Sequence, residues 1–150
     1  LVAIVGAVAA ATLLSFTPMW EGTELKTYKD LGGVLTYCTG ATENAMWGKT
    51  YTPEECRAQL DRDLARHAEG VMVCIRVPLT DLQKAAFVDA AYNIGVSAFC
   101  GSSMARRANA GDMRGACDAL LMWDKVGGKQ VRGLTRRRQA ERELCVKGLP

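Results

Sequence analysis

Histidine is almost absent from this 150-residue chain, which carries only His67. A cysteine–histidine nucleophile pair would have to rely on that one ring. Its mid-helix position points instead to a surface or internally satisfied residue. Closely spaced cysteine pairs are also lacking. Cys38, Cys56, Cys74, Cys100, Cys117 and Cys145 lie too far apart for a zinc knuckle or a CxxC redox motif. No metal and no cofactor is therefore expected. The formal net charge of +3 is too small to imply a nucleic-acid partner. Repeats are missing, and no side chain from Leu1 to Trp20 is charged.

What is present fits one soluble domain, 49% apolar and 23% charged, long enough to bury a core of its own. From Lys125 onward eight basic residues face only Glu141 and Glu143, so the last segment is strongly basic and the rest slightly acidic. Such a run ordinarily marks a solvated helix face. It could also steer the protein toward an anionic envelope surface. An even number of dispersed cysteines suits up to three disulfides and an oxidising compartment. Six allow fifteen pairings, and sequence alone does not choose among them. Six buried thiols in a cytosolic protein is the alternative.

The uncharged start is long enough to be a membrane-span candidate. Its composition argues for weak insertion, because Ala3, Gly6, Ala7, Ala9, Ala10, Ala11, Thr12 and Ser15 occupy positions where a firm anchor carries large aliphatics. Without Met or a basic leader at Leu1, further residues are expected upstream. Three readings compete: a cleavable signal peptide, a buried core helix, and a helix that holds the protein in a membrane and later leaves it.

Beyond Pro18 the chain turns polar and glycine-rich, and Val34 to Tyr37 predict a small antiparallel sheet. Thr52-Pro53-Glu54-Glu55 is a capping box with proline at the first helical position, followed by Cys56, Leu60, Leu64 and Val71 at helical spacing. Thr80 with Gln83 opens a second helix that should stop at Gly95. Ser102 or Ser103 and then Asp112 are caps for two more, the latter reaching Trp123. Gly127-Gly128 predicts a flexible loop, and a last helix should run from about Leu134 to Val146. The fold class is α+β, a small sheet lobe followed by a larger helical lobe and preceded by an N-terminal apolar helix.

Chemistry points to Glu21, Asp30 and Thr36, spaced Glu-x8-Asp-x5-Thr. Three residues at a spacing carry little weight alone; their setting adds more. Glu21 sits where the apolar run ends, whereas Asp30 and Thr36 fall in the turn-rich sheet region. Glycoside hydrolysis needs one protonated carboxyl and one ionised carboxyl flanking the bond. Glu21 beside Trp20 has the more apolar flank, suited to keeping a proton, and Asp30 beside Lys29 should stay charged.

Glu21 through Asp30, with Thr36, resembles the active-site segment of phage-type lysozymes, a glycoside hydrolase family of bacteriophage endolysins. The resemblance continues through Gly48–Thr52, Arg76–Leu79, Phe87–Gly95, Gly115–Asp118, Gly127–Gln130, Gly133-Leu134, Arg137-Arg138 and Glu141-Arg142. It implies Glu21 as general acid, Asp30 assisting attack by water, and Thr36 holding that water on the opposite sugar face. Attack from that face predicts inversion and carboxyls about 6.5–9.5 Å apart. The implied substrate is peptidoglycan, cut from N-acetylmuramic acid to N-acetylglucosamine. One departure is that Gly40-Ala41-Thr42 stands where the family often has Gly-His-Thr, so a structural histidine is missing and a cost in local stability or lobe geometry is expected.

The N-terminus is similar to that of lambdoid endolysins exported by a signal-anchor-release segment. That implies residues 1–20 as the anchor and 21–150 as the muramidase domain. The enzyme would be tethered inactive to the host inner membrane and then released as an active monomer into the periplasm, its anchor helix repacked on the body. No cysteine lies in residues 1–20, so a thiol-exchange switch there is not expected. The expected disulfides are Cys117–Cys145, Cys38–Cys56 and Cys74–Cys100. Two rivals are a lytic transglycosylase, which would leave Asp30 and Thr36 without a required role, and a non-catalytic wall-binding module.

Overall fold

The computed structural model describes residues 1–150. Two helices open the chain, α1 (Val2–Val5) and α2 (Ala7–Glu21), separated at Gly6. Strands β1 (Glu24–Lys29) and β2 (Leu35–Cys38) form an antiparallel hairpin. Five helices follow: α3 (Pro53–Cys74), α4 (Asp81–Ile94), α5 (Val96–Cys100), α6 (Ser103–Asn109) and α7 (Met113–Ala119). A 3-10 turn (Leu120–Met122) leads to the short hairpin β3 (Lys125–Val126) and β4 (Lys129–Gln130), and α8 (Arg132–Lys147) ends the fold.

Local chemistry explains the helix starts. In both capping boxes the threonine hydroxyl accepts from the backbone N–H three residues on, while Glu55 and Gln83 return the bond to Thr52 N and Thr80 N at 3.0 Å. Ser102 and Asp112 cap α6 and α7 in the same way. Gly95 ends α4 with φ 96°, a conformation open to glycine. The five-residue helix α5 starts directly after it and has too little periodicity to be foreseen. Gly127 and Gly128, expected as a flexible loop, are the ordered turn of β3–β4, both with positive φ as a two-residue hairpin requires.

One core joins the helices. Leu60, Leu64 and Val71 of α3 meet Phe87 and Val88 of α4, with Phe99, Met104 and Leu120 closing the far side. Val5, Ala9, Ala10 and Leu13 belong to this same cluster. The single apolar helix expected over the first twenty residues is thus two helices, and no helix is long and apolar enough to cross a membrane. Gly6, at φ 89°, breaks the helical path. The alanines that weaken membrane insertion let α2 lie close against α4.

The sheet lobe has only a small cluster of its own, Cys38, Tyr51 and Cys56, packed against Tyr37. Disulfide Cys38–Cys56 fastens β2 to α3. Cys74–Cys100 joins the ends of α3 and α5, and Cys117–Cys145 joins α7 to α8. These are the three pairs expected above.

Leu13 is fully buried. Leu13→Ala should cost about 2–5 kcal/mol, the usual range for emptying such a site. Chemical denaturation checks this; a loss under about 1 kcal/mol would mean that α2 unfolds separately from the body.

Candidate active site

Glu21 is the last residue of α2, and Gly22 at φ 73° then turns the chain into β1. Its carboxylate is about one-fifth exposed (21%) and borders a cleft of about 260 Å³. Gly40, Ala41 and Thr42 line the sheet-lobe wall, and Asp63, His67 and Tyr92 line the helical wall. Glu21 therefore stands where the two lobes meet.

A buried guanidinium holds it there. Arg137 Nη1 lies 3.3 Å from Glu21 Oε1. The remaining nitrogens of Arg137 fork onto Asp89 of α4, Nε donating to Oδ2 at 3.0 Å and Nη2 to Oδ1 at 3.1 Å. Thr17 Oγ1 donates to Asp89 Oδ1 at 2.7 Å. Thr17 and Glu21, four residues apart, share one face of α2, so α2 grips the Asp89–Arg137 pair at two points. Behind it Arg138 Nη2 donates to Asn93 Oδ1 at 2.8 Å and to Glu141 Oε2 at 3.0 Å. The expected apolar setting of Glu21 is thus corrected: a cation faces it.

The basic run is likewise not uniformly solvated. Arg132 and Arg136 are exposed, but Arg137 and Arg138 are buried because carboxylates of α4 and α8 meet them. Burial and hydrogen bonding with Asp89 push Glu141 well above the usual carboxylate range, against Arg138 and Arg137. Burial would raise Asp89 as well, but hydrogen bonds from Glu141, Arg137 and Thr17 and the Arg137 charge hold it below its ordinary value. The arrangement therefore favours the ionised form of Asp89 and the protonated form of Glu141.

Asp30 and Thr36 form one hydrogen-bonded unit at the far end of the β1–β2 hairpin. Asp30 Oδ1 accepts from Gly32 N and Val34 N, both at 2.9 Å. Asp30 N donates to Val34 O at 2.9 Å, and Thr36 Oγ1 donates to the same carbonyl at 3.0 Å. Asp30 is exposed and Thr36 buried, and both belong to the sheet rather than to the lining of the Glu21 cleft. Tyr28, paired with Thr36 across the strands, connects the groups. Burial first, then the charges of Glu24, Asp30 and Glu21, raise its phenol, so Tyr28 feels both candidate carboxylates.

Next to Ala41, residues of two helices hold the loop. Thr39 N donates to Gln59 Oε1 at 3.2 Å and Tyr92 OH donates to Thr39 O at 2.7 Å, tying the loop to α3 and α4. Asp63 is bound by Gln59 and Arg66. Burial, then the charges of Asp63 and Glu21, push the Tyr92 phenol far up, keeping it a donor. His67 is satisfied within its helix, Nδ1 lying 2.6 Å from Asp63 O, and its ring meets Tyr92 edge-on at 5.0 Å. It also lines the cleft, which sequence reasoning missed. Arg137, Asp89 and Tyr92 were likewise not singled out. The spacing of Arg137 and Arg138 from Glu141 along α8 was the available clue.

Comparison with known proteins places this geometry in context. The family profile described as "Phage lysozyme" matches residues 18–141. The chain is 42% identical over 148 residues, 95% of its length and 90% of the relative's, to the SAR-endolysin of Enterobacteria phage P21. Among solved structures it superposes on a mutant P22 lysozyme with a TM-score of 0.84 at 33% identity, covering 91% of this chain and 96% of that one. The muramidase domain of SpmX from Asticaccaulis excentricus matches with a TM-score of 0.83 at 30% identity, covering 91% and 95%.

Asp89→Asn removes the charge that compensates Arg137 in the core and should lower stability by about 3–5 kcal/mol, read from denaturant midpoints. A loss within experimental error would mean that Arg137 finds solvent instead. Glu141 titrates in the opposite sense to Asp89. Its stabilising contribution is complete below about pH 4.3, the unfolded value, and declines as pH rises toward its elevated folded value. The Tm of Glu141→Gln should therefore gain on wild type as pH rises above about 4.3, the unfolded value. A gap independent of pH would show an ionised Glu141.

Proposed function

Since the chain belongs to the phage lysozyme family, we propose that it hydrolyses the β-1,4 bond from N-acetylmuramic acid to N-acetylglucosamine in bacterial peptidoglycan with inversion, Glu21 serving as general acid. The chain is a phage-lysozyme-family glycoside hydrolase, an endolysin that lyses the host. The finer reading is carried by one observation: Glu21 borders the interlobe cleft, held by a buried arginine whose Nη1 lies 3.3 Å from its Oε1.

In this mechanism Glu21 protonates the departing glycosidic oxygen. Asp30, whose Oδ1 is occupied by backbone N–H groups, offers Oδ2 to a water and draws off its proton as that water attacks the anomeric carbon. The Thr36 hydroxyl helps to hold the water. The new bond forms on the face opposite the leaving group, so the product anomer is inverted and one water is consumed. The muramidase named among the solved relatives supports this bond as the target.

Residues 1–20 act before release as the anchor, tethering the enzyme to the inner membrane with the catalytic body in the periplasm. The homology to an SAR-endolysin supports this reading. In the folded enzyme α2 carries both Glu21 and Thr17, so a tethered chain with α2 in lipid lacks the Asp89 contact and a completed cleft. Tethering therefore keeps the enzyme silent.

Glu21→Gln should slow clearing of a peptidoglycan suspension by about 10²–10⁴-fold, the share typical of a general acid. Equal turbidity loss in both proteins would refute the assignment. NMR of early wild-type products should show the inverted anomer. Anhydro-sugar ends, lighter by one water in mass spectra, would identify a transglycosylase instead.

A further inference from the structure

The sheet lobe carries an apolar tip that belongs neither to the core nor to the lining of the Glu21 cleft. Leu31 in the β1–β2 turn is fully exposed, and Val34, which closes that turn, is half-exposed. Along the other edge of β1, Trp47 is 68% exposed and Met46 stands exposed beside it. Trp20 and Trp123 are both more buried. The turn and the loop form one surface because β1 lies between them. Asp30 N donates to Val34 O at 2.9 Å, while Thr27 N donates to Lys49 O at 3.0 Å and Lys49 N to Met46 O at 3.2 Å. The Lys29 ammonium lies 5.6 Å from the centre of the Trp47 ring. Lys26, Lys29 and Lys49 are all exposed, and the lysine ion pairs of the chain involve Lys125 and Lys147 instead.

Contiguous exposed apolar side chains mark a surface that something covers. In the tethered chain a bilayer is within reach: Leu31 follows Glu21 by ten residues, so the turn lies no more than about 36 Å from the end of the anchor even at full extension. Tryptophan and lysine together suit a bilayer interface, the ring resting at headgroup level and the ammonium reaching phosphate while its stem stays among apolar groups. A sugar could stack on Trp47, but it would leave Leu31, Val34 and Met46 in water. We propose that this tip docks on the surface of the anionic inner-membrane bilayer, with Leu31, Val34, Met46 and Trp47 entering the headgroup boundary and Lys29 pairing lipid phosphate. This rests on the tethering reading given above and adds a second hold, outside residues 1–20. Glu24 and Asp30 stand against the three lysines, so the apolar side chains supply most of the binding and the cations its preference for anionic lipid.

The test mixes the full folded chain with vesicles of phosphatidylethanolamine and phosphatidylglycerol. Trp47 fluorescence, taken as the difference between wild type and Trp47→Phe, should shift to the blue and be quenched by lipids brominated on their acyl chains. Leu31→Ser should weaken sedimentation with the vesicles about tenfold, the scale for burying one leucine side chain. Lys29→Gln should weaken it about fivefold, and should change nothing on phosphatidylcholine vesicles. No sedimentation, an unshifted Trp47 in a protein that sediments, equal sedimentation of Leu31→Ser, or a Lys29→Gln loss of the same size on both lipids would each overturn the docking surface. Quenching of Trp47 by soluble glycan strands and not by vesicles would assign the tip to sugar and overturn it as well. The tether is read separately, in membranes of cells that make the chain. A spanning segment resists alkaline carbonate extraction, and Leu31→Ser should resist it as wild type does. Extraction of the wild type would overturn the tether, while the vesicle result still decides the tip. Leu31, Lys29 and Trp47 are exposed, so matching thermal midpoints establish that the variants are folded.

Discussion

The structure turns on the guanidinium of Arg137. A buried arginine is costly unless its donors are met by acceptors of opposite charge. Here Asp89 meets two of them and Glu21 a third. Because Asp89 belongs to α4, Arg137 to α8 and Glu21 to α2, satisfying one cation fixes the relative placement of three helices. The same contact sets the position of the carboxylate at the cleft. Cleft geometry and core stability thus share one set of polar contacts, an arrangement that holds the Glu21 side chain firmly in place.

The neighbouring pair Arg138 and Glu141 makes the centre denser in charge without leaving it unbalanced. Three carboxyl groups, Glu21, Asp89 and Glu141, face two guanidinium groups. Burial and the neighbouring Asp89 favour the protonated form of Glu141, which lessens the surplus negative charge where no solvent is available to disperse it. Asn93 takes a remaining Arg138 donor with a neutral oxygen, so α4 meets both arginines from a single face.

The sheet lobe is held by different means. It is too small to bury much apolar surface, so covalent and polar ties replace packing. Cys38–Cys56 and the bonds converging on Thr39 fasten it to α3 and α4. Its outer end is organised by the Asp30 carboxylate, which caps the turn at Gly32 and Val34. The N-terminal helices face a further constraint. In the folded form they are apolar enough to enter the core, yet small enough along their length to pack closely, and Gly6 divides them into two helices.

Much of this was legible in the amino-acid order. Capping boxes at Thr52 and Thr80, the stop at Gly95 and the period of Cys56, Leu60, Leu64 and Val71 are local features, encoded within a few residues of where they act. The Glu21, Asp30 and Thr36 spacing could also be read there, as could a hairpin around Val34 to Tyr37. What local pattern could not supply was which of the arginines in a basic run would turn inward. Arg136 and Arg137 are neighbours of the same type, yet one is exposed and the other is buried against Asp89, forty-eight positions away in the chain. Nor could it show that His67 would line the cleft, or that Gly6 would divide an apolar stretch. Those outcomes depend on which surfaces meet once the helices pack. Sequence by itself determined where the capped helices α3, α4, α6 and α7 begin; only tertiary structure decided which charges share a dry interior, because that depends on partners from distant segments arriving together.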